Sequence, residues 1–145
     1  MAPVTYKGIA TRKANADGIK RILLVEDNEM NREIATDVME DAGIEIEEAV
    51  DGDIAVEMIS RSEPGYYNLV LMDIQMPRMN GYEATKAIRS LENKELASIP
   101  IIAMTANAFA EDREKSLAVG MNAHIAKPVS YESLFEAMGQ LSNRS

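Results

Sequence analysis

The chain contains no cysteine, and a single histidine, His124, among its 145 residues. Disulfides and thiolate metal sites are thereby excluded. No run approaches the roughly 18 apolar residues that a membrane-spanning helix needs. The N-terminal residues Met1 to Lys7 lack the apolar stretch of a secretory signal. Basic residues are also in short supply: 15 Lys and Arg stand against 24 Asp and Glu, a net charge of −9. Lys7, Arg12, Lys13 and Lys20 against Asp17 give residues 1–20 a charge of +3, which leaves −12 for the remainder. A domain so acidic repels nucleic acid and anionic lipid. Neither nucleic-acid binding nor membrane contact by this domain is therefore expected. A cytoplasmic setting is the plain inference, with a membrane anchor elsewhere in a parent chain left open.

What is present is an alternation of strand-like and helix-like segments. The length suits one domain with a substantial core, and 46% apolar residues fits a globular protein. Residues 1–19 show no period of either kind and read as a tail or linker, which places the domain at 20–145. Predicted strands are Arg21–Val25, Glu45–Ala49, Leu69–Met72, Pro100–Met104 and Ala123–Ala126. The second alternates acidic with apolar residues and suits a sheet edge. Helices follow each strand. Met30, Ile34, Val38 and Met39 share a face, with Asn28 as N-cap and Gly43 as C-cap. Ile54 to Ile59 follows an Asp51-Gly52 turn, Tyr82 to Leu91 follows Asn80-Gly81, Glu111 to Val119 ends at Gly120, and Ser130 caps the last. Five such units predict an α/β fold with a parallel sheet, right-handed crossovers and helices on both faces.

Four apolar runs each end in a polar residue. Ile22 to Val25 meets Glu26-Asp27, Leu69 to Met72 meets Asp73, Ile99 to Met104 meets Thr105, and Ala123 to Ala126 meets Lys127-Pro128. Ligands of open parallel sheets bind outside the carboxyl ends of the strands. Three carboxylates, a hydroxyl and an ammonium should thus converge on one edge. Two ionised carboxylates ~5 Å apart repel by about 3 kcal/mol at an effective dielectric near 20. Either one is protonated or a cation sits among them. Hard oxygen donors favour Mg²⁺ or Mn²⁺ over zinc. An incomplete protein cage leaves room for a phosphoryl oxygen, with Lys127 as point charge and Thr105 as donor. A carboxylate can also act as the nucleophile, giving an acyl phosphate; Asp73, ending the most central strand, is the candidate. Each residue singly has a plainer reading: a dipole-answering acid, a turn cap, an N-cap, a surface ion pair. Complementary charges at four separate strand ends favour the shared one.

From Lys20 to Leu141 the chain resembles the receiver domain of two-component response regulators. The resemblance rests on Leu-Val-Glu-Asp-Asn (24–28), Asp-Gly-Asp-Ile-Ala (51–55), Met-Asp-Ile-Gln-Met-Pro-Arg-Met-Asn-Gly (72–81), Met-Thr-Ala (104–106) and Lys-Pro (127–128). It implies a flavodoxin-like (βα)5 fold with strand order 2-1-3-4-5. It also implies that Asp73 accepts a phosphoryl group from phosphohistidine. Glu26, Asp27, Asp73 and the backbone carbonyl of Gln75 would serve Mg²⁺, with Asp27 bound directly and Glu26 through water. Thr105 and Lys127 would contact the phosphoryl group, and a cis Lys127-Pro128 bond would aim the lysine. Implied partners are a histidine kinase or a histidine phosphotransfer protein, with a homodimer through the fourth helix, fifth strand and fifth helix as an option. The family's aromatic switch position, three residues before the lysine, is His124 here; it is a switch candidate with imidazole for phenol. Gln75 and Asn107 occupy positions that border the attacking water in the family. The phrases Met-Asp-Ile-Gln-Met-Pro and Met-Thr-Ala-Asn-Ala look most like receivers of hybrid sensor histidine kinases; a stand-alone response regulator is the alternative. A phosphatase working through aspartyl phosphate would want an acid at Gln75. A flavin binder would want Ser, Thr and Gly where Glu26-Asp27-Asn28-Glu29 stands.

Overall fold

The computed structural model describes residues 18–106 and 110–142. Its framework is a five-stranded parallel sheet in the order β2-β1-β3-β4-β5, built from β1 (Arg21–Val25), β2 (Glu45–Ala49), β3 (Leu69–Asp73), β4 (Ile101–Thr105) and β5 (Ala123–Ala126). Five helices alternate with the strands: α1 (Glu29–Asp41), α2 (Gly52–Arg61), α3 (Gly81–Arg89), α4 (Ala110–Val119) and α5 (Tyr131–Ser142). The strand order reverses between β1 and β3, which opens a crevice at their carboxyl ends.

Burial explains which strands are central. Every residue of β3 and β4 is buried, whereas β2 and β5 are mixed. Alternate side chains of the central strands feed two cores. Ile22, Leu24, Leu71 and Ile102 pack under Met39 of α1 and Leu134, Phe135 and Met138 of α5. Leu23, Val25, Val70, Met72 and Ala103 pack under Ile59 of α2 and Ala84 and Ile88 of α3. Ile19, the last residue of the stretch expected from sequence to lie outside the domain, is itself buried in the core.

Boundaries differ from the sequence expectation by one or two residues, each for a local reason. β3 and β4 run one residue further than expected, so Asp73 and Thr105 are themselves the last strand residues. Pro100 lies outside β4, having no N–H to donate, though its carbonyl still accepts from the Val70 N–H at 2.9 Å. α3 starts at Gly81 because Asn80 and Glu83 form a reciprocal capping box. Gly43 is the residue after the Ala42 C-cap, with φ of +80°, the left-handed conformation that glycine adopts without strain. A single helical turn, Lys94–Ala97, lies between α3 and β4 in addition to the helices that the sequence predicts. Asn93 caps it by accepting from the Glu95 and Leu96 N–H groups. Gly81 is required by proximity: a Cβ there would lie 2.5 Å from the Asp73 carbonyl oxygen. α3 therefore packs directly beneath the residue at the centre of the sheet edge. Among the described residues, no helix is long and apolar enough to cross a membrane.

Candidate functional site

The turn from β1 into α1 presents two acids. Asn28 ends the turn by accepting from the Asn31 N–H at 2.9 Å, so α1 begins two residues after Asp27. Glu26 is turned inward and 2% exposed, while Asp27 is exposed. Two contacts fix Glu26: Asn31 Nδ2 donates to its Oε1 at 2.8 Å, and Arg32 Nη1 donates to its carbonyl at 3.0 Å. Neither Asn31 nor Arg32 is legible as a site residue from sequence, because each reads simply as a polar residue in the first turn of a helix. Arg32 also pairs with Glu48 on β2 at 3.3 Å, tying the turn to the sheet edge.

Asp73 sits between β1 and β4 and is 3% exposed. Its Oδ1 accepts the Gln75 N–H at 3.2 Å, and its Oδ2 pairs with Lys127 Nζ at 3.1 Å. The same ammonium lies 3.2 Å from Glu26 Oε1. Lys127 thus bridges the two buried acids. It is carried on the turn after β5, its peptide bond to Pro128 is cis, and its backbone N–H donates to the Thr105 carbonyl at 2.7 Å. Thr105, also buried, closes the edge from β4, in register with Ala126.

Oxygens of Glu26, Asp27 and Asp73 all lie within 4.8 Å of one another. One ammonium cannot balance three carboxylates so placed. Burial, followed by the hydrogen bond and like charge of Glu26, pushes the Asp73 carboxyl up to about 7 against the pull of Lys127. Burial also opposes the charge on Glu26, but hydrogen bonds from Asp73 and Asn31, with Lys127, outweigh it and hold that carboxyl below its ordinary value. Without a cation, the two buried acids titrate as a pair, and their repulsion favours uptake of a proton. With both acids ionised, Glu26 Oε2 is buried and lacks a hydrogen-bond partner. A hard divalent cation fits this donor set.

The remaining expected positions lie around this centre. Gln75 is exposed and lines the mouth, with its backbone N–H on Asp73. Pro128 is exposed beside Lys127. His124 is half-buried on β5 in register with Ala103, two residues below Thr105 on the neighbouring strand. Asn107 lies outside the described residues. A further contributor that the sequence does not mark as a site residue is Asp51: 2% exposed, it caps α2 through the Gly52 N–H and also accepts from the Arg78 and Met79 N–H groups at 3.2 and 2.9 Å. It thereby ties the loop after Asp73 to the neighbouring unit.

Comparison with known proteins meets this geometry from outside. A family model described as the response regulator receiver domain matches residues 22–139. A hybrid signal transduction histidine kinase from Dictyostelium discoideum is 40% identical over 132 residues, which cover 85% of this chain but only 7% of that protein. The receiver domain of a sensor histidine kinase from Pseudomonas aeruginosa, solved with magnesium coordinated in its active site cleft, superposes with a TM-score of 0.76. It is 36% identical, and the match covers 87% of this chain and 99% of that one. The receiver domain of an Arabidopsis thaliana histidine kinase, solved with Mg²⁺ and BeF3⁻, gives 0.74 at 30% identity, covering 87% and 91%. With the model matched over 118 residues, one assignment is left: this chain belongs to the response regulator receiver domain family.

Proposed function

We propose that this domain is the phosphoacceptor of a two-component phosphorelay, with Asp73 taking the phosphoryl group from a phosphohistidine. The observation that carries it is a buried carboxylate at the centre of the sheet edge, in contact with Lys127 and flanked by two further acids. An Asp73 oxygen forms the new O–P bond. The imidazole leaves with the electrons of the P–N bond and takes up a proton. Lys127 and Thr105 hold phosphoryl oxygens, and the chemistry demands little beyond that positioning and charge neutralisation. Asp27 and Asp73 would hold Mg²⁺ directly, with Glu26 acting through water and the Gln75 carbonyl as a further ligand; Mn²⁺ suits the same oxygens. The bound cation would supply positive charge to the phosphoryl oxygens.

Incubation with acetyl phosphate and Mg²⁺ should add one phosphoryl group by intact mass. Asp73→Asn should remain unlabelled, and full labelling of that variant would sink the assignment.

The phosphodonor is read as a histidine kinase or histidine phosphotransfer protein. A parent hybrid sensor kinase, with this domain on its cytoplasmic side, is favoured by the similarity to receivers of that class. Phosphorylation is read as biasing an existing equilibrium in which Thr105 and His124 move together, their strands being hydrogen-bonded neighbours. NMR spectra of apo and beryllofluoride-bound protein should differ at the His124 ring. An identical ring environment in the two would remove His124 from the mechanism.

A further inference from the structure

We infer that Lys115, held against the ring of Tyr82, recruits small anionic phosphodonors of the acyl phosphate class to Asp73. The inference rests on the phosphoacceptor reading above.

An open cleft of about 600 Å³ adjoins the acidic centre, lined by Asp27, Gln75 and Thr105 on the site side and by Tyr82 and Lys115 further out. Lys115 comes from α4 and Tyr82 from α3. The lysine ammonium lies 4.6 Å from the centroid of the Tyr82 ring. The contact bridges the two helices and holds the ammonium on an aromatic face, where it retains N–H groups for an anion.

The electrostatics give this placement a consequence. The Lys127 ammonium already spans Glu26 and Asp73, at 3.2 and 3.1 Å. An acyl phosphate dianion approaching through the cleft meets Asp27 at the mouth and an acidic domain behind it. Lys115 is the cation among the described residues that line this cleft. A charge so placed accelerates encounter, and its effect fades as salt screens it. In the step itself an Asp73 oxygen forms the O–P bond, the bond from phosphorus to the acetyl oxygen breaks, and acetate leaves with that electron pair. Lys115 touches none of these atoms and is a recruiting residue.

The test measures phosphorylation rates with acetyl phosphate and with phosphoramidate, which carries less net negative charge, in the presence of Mg²⁺ at low and high ionic strength. Lys115→Gln should lower the acetyl phosphate rate by about threefold to fivefold at low salt, the effect of one unit charge several ångströms from a dianion. The loss should be smaller for phosphoramidate and should close toward 1 M salt. Lys115→Arg should restore the rate, and hydrolysis of the phosphorylated domain, with water as an uncharged nucleophile, should not follow the series. Equal rates for wild type and Lys115→Gln with the same salt dependence would overturn the inference. So would a loss that is equal for both donors and shared by hydrolysis, which marks a general disturbance of the site. A wild type labelled by neither donor would overturn the Asp73 reading and this inference with it.

Discussion

A carboxylate that is 3% exposed must find a counter-charge, a donor or a proton; Asp73 has Lys127 and the Gln75 N–H, and burial with the nearby Glu26 raises its affinity for the third. Glu26 competes with it for Lys127, the one ammonium in reach among the described residues, so the pair holds one negative charge comfortably and two at a cost. Asp27 enters that balance differently, because it is exposed. Its charge repels the buried acids through partly solvated space, while its oxygen completes the three-carboxylate set. Deleting it should therefore separate two properties. Asp27→Ala is expected to leave the cation-free domain as stable as wild type or up to about 1 kcal/mol more stable, by relief of repulsion across solvent. The same change should weaken Mg²⁺ binding strongly. Thermal melts with and without millimolar Mg²⁺ check both halves. The wild type should gain stability by mass action and the variant little. A wild type whose melting ignores Mg²⁺ would count against the cation site.

At the scale of elements, the site is held by the joints between βα units. Asp51 is the clearest joint: one oxygen accepts from the Gly52 and Met79 N–H groups, the other from the Arg78 N–H. Burial works against its charge, but the backbone donors of Met79, Arg78 and Gly52 outweigh that, and its carboxyl lies below the ordinary aspartate value. Since the folded value is depressed, the stabilisation is fully present above the unfolded aspartate range and is lost as pH falls through the folded value. Asp51→Asn keeps the shape but turns an amide toward one of the N–H donors. It should cost about 1–3 kcal/mol at neutral pH. Acid melts from pH 6 to pH 3 should show the wild type losing its advantage over the variant, and parallel curves would refute the role. This joint also shows where sequence reading stops. The four polar strand ends were visible because a parallel sheet brings its strand ends to one edge, whichever residues lie between. The Asp51 clasp, the Asn31 contact to Glu26 and the Lys94–Ala97 turn leave no such mark in the sequence. Each depends on side-chain direction or on one short cap, and no period in the sequence records either.

At the scale of the molecule, the sheet edge opens on two sides, and they present different surfaces. Beyond Asp27 lies the polar cleft bordered by Lys115. On the α1 side, a cleft of about 510 Å³ runs between α1 and the turn after β5, with Lys127 and Glu26 in its wall and Ile34, Ala35, Met104 and Val129 around them. Ile34, which lines this cleft, and Met30, one turn before it on α1, stand 48% and 68% exposed. Small donors need only reach Asp73, but a phosphohistidine carried on a folded protein must be held while its ring approaches, and an apolar patch beside the site suits that task. Ile34→Asp places a charge in the patch while leaving Asp73, Lys127 and the acids untouched. It should slow transfer from a phosphorylated histidine phosphotransfer domain by at least tenfold, the equivalent of about 1.4 kcal/mol of lost docking energy. Labelling by acetyl phosphate should stay near wild type. The ratio of the two rates is the informative quantity. A parallel fall in both would point to a damaged site, and no fall in either would move the docking surface away from α1.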